Sequence, residues 1–141
     1  MMNRPVSGLI RDQLPLTLPP DATVRDACRA MRERQVGSVV VTDGQERLLG
    51  IFTERDAVCR VLAEAADAER TTLAAVMTPD PGSMPPRGTA TEALRLMQDG
   101  GFRHVPVVEA GRVVGVVSYT DFAGLEHTRL EEETEAFETL R

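Results

Sequence analysis

Lysine is absent from this chain of 141 residues: all sixteen basic residues are arginine. That excludes a lysine Schiff base and a phosphate-loop lysine. Codon bias accounts for the choice of arginine without any functional meaning. Tryptophan is absent, tyrosine occurs once and phenylalanine four times. The 42% of hydrophobic residues must therefore build an aliphatic core of Val, Leu, Ile, Ala and Met. Two His and two Cys without CxxC spacing are too few for a metal cluster. Cys28 and Cys59 are expected as reduced, half-buried thiols on helices. No apolar run approaches the roughly 20 residues of a membrane helix. The opening MMNRPVSGLIRDQ lacks an apolar core followed by a small-residue cleavage site, so a cytoplasmic location is expected. Positive charge is not in excess either. The net charge is −6, which argues against a nucleic-acid binder. Six Glu and two Arg in residues 126–141 carry most of it. There is no nucleophile with a positioned base, no Walker-type glycine loop and no suggestive carboxylate pair, so no enzyme is expected.

What is present is a repeat. Shifted by 66 residues, LPLTLPPDATVRDACRAM (14–31) lies over DPGSMPPRGTATEALRLM (80–97). Pro15, Pro19, Pro20, Thr23, Ala27, Arg29 and Met31 fall on Pro81, Pro85, Pro86, Thr89, Ala93, Arg95 and Met97. SVVV (38–41) continues over HVPV (104–107). A one-residue deletion then changes the offset to 65, and Arg47, Gly50 and Asp56 meet Arg112, Gly115 and Asp121.

Each copy carries the same local signals. A short extended piece (16–18; 82–84) ends at Pro-Pro, which does not continue into a helix. Thr23 in Thr-x-x-Asp and Thr89 in Thr-x-x-Glu predict helix caps. Val24, Ala27, Cys28 and Met31, and then Ala90, Ala93, Leu94 and Met97, recur at helical spacing. Strands are predicted at 38–42 and 104–108, turns at Asp43-Gly44 and Ala110-Gly111, and partner strands at 47–52 and 112–117. Continuously apolar strands predict a sheet covered on both faces. A second helix starts near 54 and near 120. The order is β-α-β-β-α twice, an α/β (α+β) architecture. One such unit cannot easily bury its sheet alone, so the copies are expected to pack sheet to sheet about a pseudo-twofold axis. The expected limits are 7–65 for the first repeat, 66–81 for a linker, 82–125 for the second repeat and 126–141 for an acidic helical tail. In that tail Leu130, Phe137 and Leu140 form a thin apolar stripe.

Both copies end their second strand alike, in GIFTERD (50–56) and GVVSYTD (115–121). With PPDATVRDA, VMTPDP and GFRHVPVVEAGRVVGVVSYTD, these stretches carry a likeness from about residue 7 to 125. Each repeat resembles a cystathionine-β-synthase-type (CBS) domain, and the tandem resembles a Bateman module. The resemblance implies a regulatory module that binds adenine nucleotides or adenosyl ligands (AMP, ADP, ATP, NAD or S-adenosylmethionine) between the repeats. It implies a disc-like homodimer and a regulated partner protein. The alternative is a structural or protein-interaction dimer without a ligand.

The chemistry of the two strand ends suits a nucleotide. In each, a hydroxyl (Thr53; Ser118) precedes a helix start, whose unpaired N–H groups attract phosphate. Arg55 and Thr120 sit one residue before the acid and can add a phosphate contact. Asp56 and Asp121 can accept hydrogen bonds from two ribose hydroxyls. Val36, Gly37 and Ser38, and Phe102, Arg103 and His104, open the preceding strands and can form a base pocket, with Pro106 and Thr78 nearby. Tyr119 can stack on a base or simply lie exposed. The resemblance implies that Asp121 works with Val36, Gly37 and Ser38, and Asp56 with Phe102, Arg103 and His104. The competing reading is that Thr-x-x-Asp and Ser-x-x-Asp only cap their helices.

Overall fold

The computed structural model describes residues 4–122; the helix and apolar stripe expected over 126–141 lie outside the described residues. The order of elements follows the repeat. After a short N-terminal helix, α1 (Val6–Leu9), come β1 (Thr17–Leu18), α2 (Val24–Arg34), β2 (Ser38–Thr42) and β3 (Leu48–Thr53). α3 (Glu54–Asp56) runs straight into a π-helical stretch, Ala57–Leu62, and α4 (Leu73–Val76) and β4 (Thr78–Pro79) follow. The second copy gives α5 (Ala90–Gly100), β5 (His104–Glu109), β6 (Arg112–Ser118) and a 3-10 turn, Tyr119–Asp121.

The caps form as their sequence dictates. Thr23 and Thr89 have extended backbones, and their hydroxyls accept the N–H of Asp26 (3.1 Å) and Glu92 (3.2 Å). The two carboxylates accept the N–H of Thr23 (3.3 Å) and Thr89 (3.1 Å) in return. Each box satisfies two helix donors and fixes where the helix begins. α2 ends at left-handed Gln35 (φ 56°), and α5 at Gly101 (φ 71°), the better residue for that conformation.

The chain forms two compact units. The first-repeat unit spans residues 14–81, joined by 110–113. Its sheet has the order β1-β2-β3-β4, with β1 parallel to β2 and the other pairs antiparallel. Val24, Ala27 and Met31 of α2 pack on Val39, Val41 and Phe52 of the hairpin and on Leu73 of α4. Of the described residues, the second-repeat unit holds 4–13, 82–109 and 114–122. Here β5 and β6 pair, and Met84 makes a single parallel bridge to Val107 where the other unit has β1. Ala90, Ala93, Leu94 and Met97 close over Val105, Val107 and Val117.

The sequence missed a third repeated piece. α1 and α4 occupy equivalent places, each bound to the repeat beside which it does not begin. In one unit, Leu73 N–H donates to Ala22 O (2.8 Å), and Ala74 N–H to Pro20 O (3.0 Å). In the other, Val6 N–H donates to Gly88 O (2.8 Å), and Ser7 N–H to Pro86 O (2.9 Å). Leu73 and Val6 are both fully buried. Thus residues 7–13, read with the first repeat, belong to the second-repeat unit, with Ile10 buried in its core. Much of the expected linker 66–81 is α4 and β4 of the first. The glycine of each strand end makes room for these segments. A Cβ on Gly50 would stand 2.9 Å from the Thr78 carbonyl oxygen, and one on Gly115 would stand 2.8 Å from Ile10 Cβ.

Two local expectations change. The first hairpin turn does not pivot at Gly44; the left-handed residue is Glu46 (φ 64°). Asp43 Oδ1 accepts the N–H of Gln45 (2.8 Å) and of Arg47 (3.0 Å), and its carboxylate pairs with Arg47 Nε at 3.2 Å. These bonds, that to Arg47 foremost, hold the Asp43 carboxyl below its usual range. The second turn does use Ala110 (φ 52°) and Gly111 (φ 80°). Nor are all strands covered on both faces. β2 is buried throughout, but β6 alternates buried Val113, Gly115 and Val117 with more exposed neighbours.

Candidate functional site

In the first-repeat unit, antiparallel register places Ser38 opposite Thr53. Chain alternation then sets Val36 and Gly37 beside the start of α3, where Glu54 N–H donates to Gly37 O at 3.1 Å. The second-repeat unit makes the same tie: Tyr119 N–H donates to Arg103 O at 2.9 Å. Val36, Gly37 and Ser38 thus adjoin Thr53, Arg55 and Asp56, while Phe102, Arg103 and His104 adjoin Ser118, Thr120 and Asp121. Thr78 pairs with Ile51, along the other edge of β3. Pro106 is buried within β5, and its carbonyl accepts the Met84 N–H (3.1 Å).

The capping reading of the two strand ends is realised. Thr53 Oγ1 accepts the Asp56 N–H (3.2 Å), and Asp56 Oδ2 accepts the Thr53 N–H (2.9 Å). Asp121 Oδ2 accepts the Ser118 N–H (2.7 Å), and Ser118 Oγ accepts the Thr120 N–H (3.4 Å) and shares a hydrogen bond with the Thr120 hydroxyl (3.1 Å). Capping consumes one carboxylate oxygen of each acid. An ionised carboxylate accepts about four hydrogen bonds, so each acid retains capacity for a ligand. Their second oxygens differ. Asp56 Oδ1 lies 3.6 Å from Arg60 Nε. Among the described residues, Asp121 Oδ1 has no such cation.

The surroundings differ more. The first-repeat unit holds an open cavity of about 490 Å³ lined by Cys28, Met31, Val36, Gly37, Glu54 and Ala57, among others. That volume falls within the range of small-molecule sites. Burial pushes the Cys28 thiol up from its ordinary value, so at neutral pH it is a thiol and not a thiolate. The second-repeat unit puts larger groups at the matching positions: Phe102 for Val36, Arg103 for Gly37, Tyr119 for Glu54 and Phe122 for Ala57. Phe102 lies over Gly100, where a Cβ would collide with its ring. The Arg103 guanidinium lies over the Tyr119 ring, 4.8 Å from its centroid. Sequence reading preferred an exposed helix-start role for Tyr119 over stacking on a base, and did not single out Glu54, Ala57 or Cys28 as site residues. Glu54 and Ala57 were signalled only by proximity in sequence to a strand end, and Cys28, on α2, only by its place on the apolar face of that helix.

Among the described residues, no three His, Cys, Asp or Glu side chains gather in a metal-binding group, and no helix is long and apolar enough to cross a membrane.

Two matched hairpins, each running from a capped helix into a Gly-apolar-apolar-Ser/Thr-x-x-Asp end, define a tandem CBS module. The chain belongs to the CBS domain family, whose model matches residues 1–62 and 73–127. The second match begins at the first residue of α4 and so includes the third repeated piece. Among curated proteins, the CBS domain-containing protein CBSCBSPB3 of Arabidopsis thaliana is 42% identical over 105 residues, 74% of this chain. The chain spans 19% of that relative's length. A CBS domain protein from Pyrobaculum aerophilum, solved in complex with AMP, matches with a TM-score of 0.80 at 26% identity, over 91% of this chain and 98% of that one. Hypoxic Response Protein I, solved with two coordinated zinc ions, matches with a TM-score of 0.73 at 25% identity, over 83% of this chain and 94% of that one. Tandem CBS domains are in general regulatory and ligand-binding.

Proposed function

We propose that this chain is a non-catalytic, cytoplasmic sensor that binds an adenine nucleotide or adenosyl ligand through Asp56, Asp121 and the strand starts beside them. The observation that carries the reading is the state of the two acids. Each is fixed by its cap, so it is already oriented, and each keeps acceptor capacity for vicinal ribose hydroxyls. Preorganisation of this kind lowers the entropic cost of binding. The AMP complex of the Pyrobaculum aerophilum relative, which aligns over most of this chain, supports the same ligand class.

The test is thermal stabilisation by AMP, ADP, ATP, NAD and S-adenosylmethionine. A ligand at about 100 times its Kd adds roughly 2.7 kcal/mol. Asp121→Ala is expected to weaken binding at least tenfold and to cost about 1 kcal/mol of stability through the lost cap. Stability loss with affinity unchanged would leave only the capping role. No shift with any of the five ligands would sink the sensor reading.

Self-association as a homodimer is part of this reading. Val58 and Leu62, four residues apart on the helical stretch Ala57–Leu62, are 56% and 72% exposed, large apolar side chains that a partner surface would cover. Light scattering is expected to report a dimer that Leu62→Glu dissociates; a monomeric wild-type chain would refute it.

A further inference from the structure

Arg103 and Tyr119 are fastened to each other twice. Their backbones share the Tyr119 N–H to Arg103 O bond at 2.9 Å. Their side chains stack, with the guanidinium 4.8 Å from the ring centroid. An arginine loses much rotamer entropy when it is fixed. Here much of that cost is met before any ligand arrives, because the ring offers a flat surface on which the planar group rests. The stack engages the face of the guanidinium and leaves its edge. Among the described residues, no acceptor takes any of the five Arg103 N–H donors and no carboxylate pairs with it. The result is a fixed cation with its hydrogen-bonding fork uncommitted, held on Tyr119, the residue that follows Ser118 in the capped strand end. That fork matches two oxygens of a phosphate.

The first-repeat unit reverses this arrangement. The same backbone tie joins Gly37 and Glu54 (3.1 Å), but one partner has no side chain and the other is an anion. The space stays open as part of the cavity of about 490 Å³. Among the described residues, no aromatic ring holds Arg55, and Arg60 is directed to Asp56.

We propose that Tyr119 is a positioning residue for Arg103, and that the pair makes the second-repeat unit selective for ligands bearing a phosphate. The first-repeat unit, with Glu54 at the matching position, lacks this selectivity. The proposal rests on the nucleotide-binding reading above and adds to it which unit recognises the anionic group and by what device.

The experiment compares the affinities of AMP and adenosine, by calorimetry, in the wild type and in Arg103→Gln, Tyr119→Leu, Tyr119→Phe and the double variant Arg103→Gln/Tyr119→Leu. Arg103→Gln is expected to weaken AMP about tenfold or more and adenosine less than twofold. Tyr119→Leu is expected to weaken AMP by about two- to fivefold, the value of an exposed cation–π contact, and again to spare adenosine. Tyr119→Phe keeps the ring and is expected to bind as the wild type does. In the Arg103→Gln background, Tyr119→Leu is expected to add nothing. Equal losses for AMP and adenosine, or an undiminished effect of Tyr119→Leu without Arg103, would overturn the proposal while leaving nucleotide binding intact. A wild-type chain that binds neither compound overturns the underlying reading instead. Tyr119 is 38% exposed, so its substitution leaves the core in place, and unchanged melting temperatures of the unliganded variants verify this.

Discussion

The two units of this chain agree in frame and differ in filling. Their backbones share a capped helix, a hairpin, a tie from the helix start back to the strand start, and a short helix docked by two N–H groups of nearly equal geometry. Their side chains at the strand ends do not match. One unit has Gly37, Glu54 and Ala57 around an open cavity; the other has Arg103, Tyr119 and Phe122. The difference teaches that frame and specificity are written at separate positions. Frame positions carry Thr caps, a glycine that a neighbouring segment crosses and the capping acid. Specificity positions lie between them, where any residue compatible with an exposed helix start is allowed.

The comparison is broken most severely at the docked helices. Leu73→Ala is expected to cost about 3 kcal/mol and Val6→Ala about 2 kcal/mol, since both side chains are fully buried and leave a cavity. Urea denaturation measures both. A cost below about 0.5 kcal/mol at Val6 would show that α1 and α4 are not equivalent anchors.

A smaller effect sharpens the comparison at the turns. Only the first-repeat turn is held by a carboxylate whose pKa is lowered, chiefly by the Arg47 N–H. A lowered folded pKa means that Asp43 stabilises the fold above its ordinary value of 3.8. That contribution is lost as pH falls through the still lower folded value. Asp43→Asn is therefore expected to flatten the loss of stability as pH drops below about 4. The carboxylate is fully exposed, so solvent screening keeps the effect small. Parallel pH curves for the two proteins would remove Asp43 from the account.

Much of this was legible in advance. The caps at Thr23 and Thr89, the four long strands and both strand-end acids follow from short-range spacing, because capping and strand alternation are local interactions. The docked helices were not legible. VSGL (6–9) and LAAV (73–76) share no residue at any position and are only four residues long, too short for periodicity to register. Their equivalence appears only in what they bond to. The turn at Asp43-Gly44 was misread because a glycine signals a left-handed residue, while the Asp43 carboxylate moved that conformation to Glu46. The contest between ribose acceptor and cap at Asp56 and Asp121 was visible in sequence, but only geometry counts the carboxylate oxygens and finds one of each pair committed to the cap.

The sequence by itself determined the duplication, the two capped helices and the strand ends GIFTERD and GVVSYTD, because each is specified by bonds between residues close in the chain. The tertiary structure decided what lies around those ends. It brought α1 to the second repeat and α4 to the first, set Arg103 over Tyr119, and left a cavity beside Gly37 and Glu54. Those outcomes depend on which side chains fill a volume shared by segments far apart in sequence, and no local spacing specifies a volume.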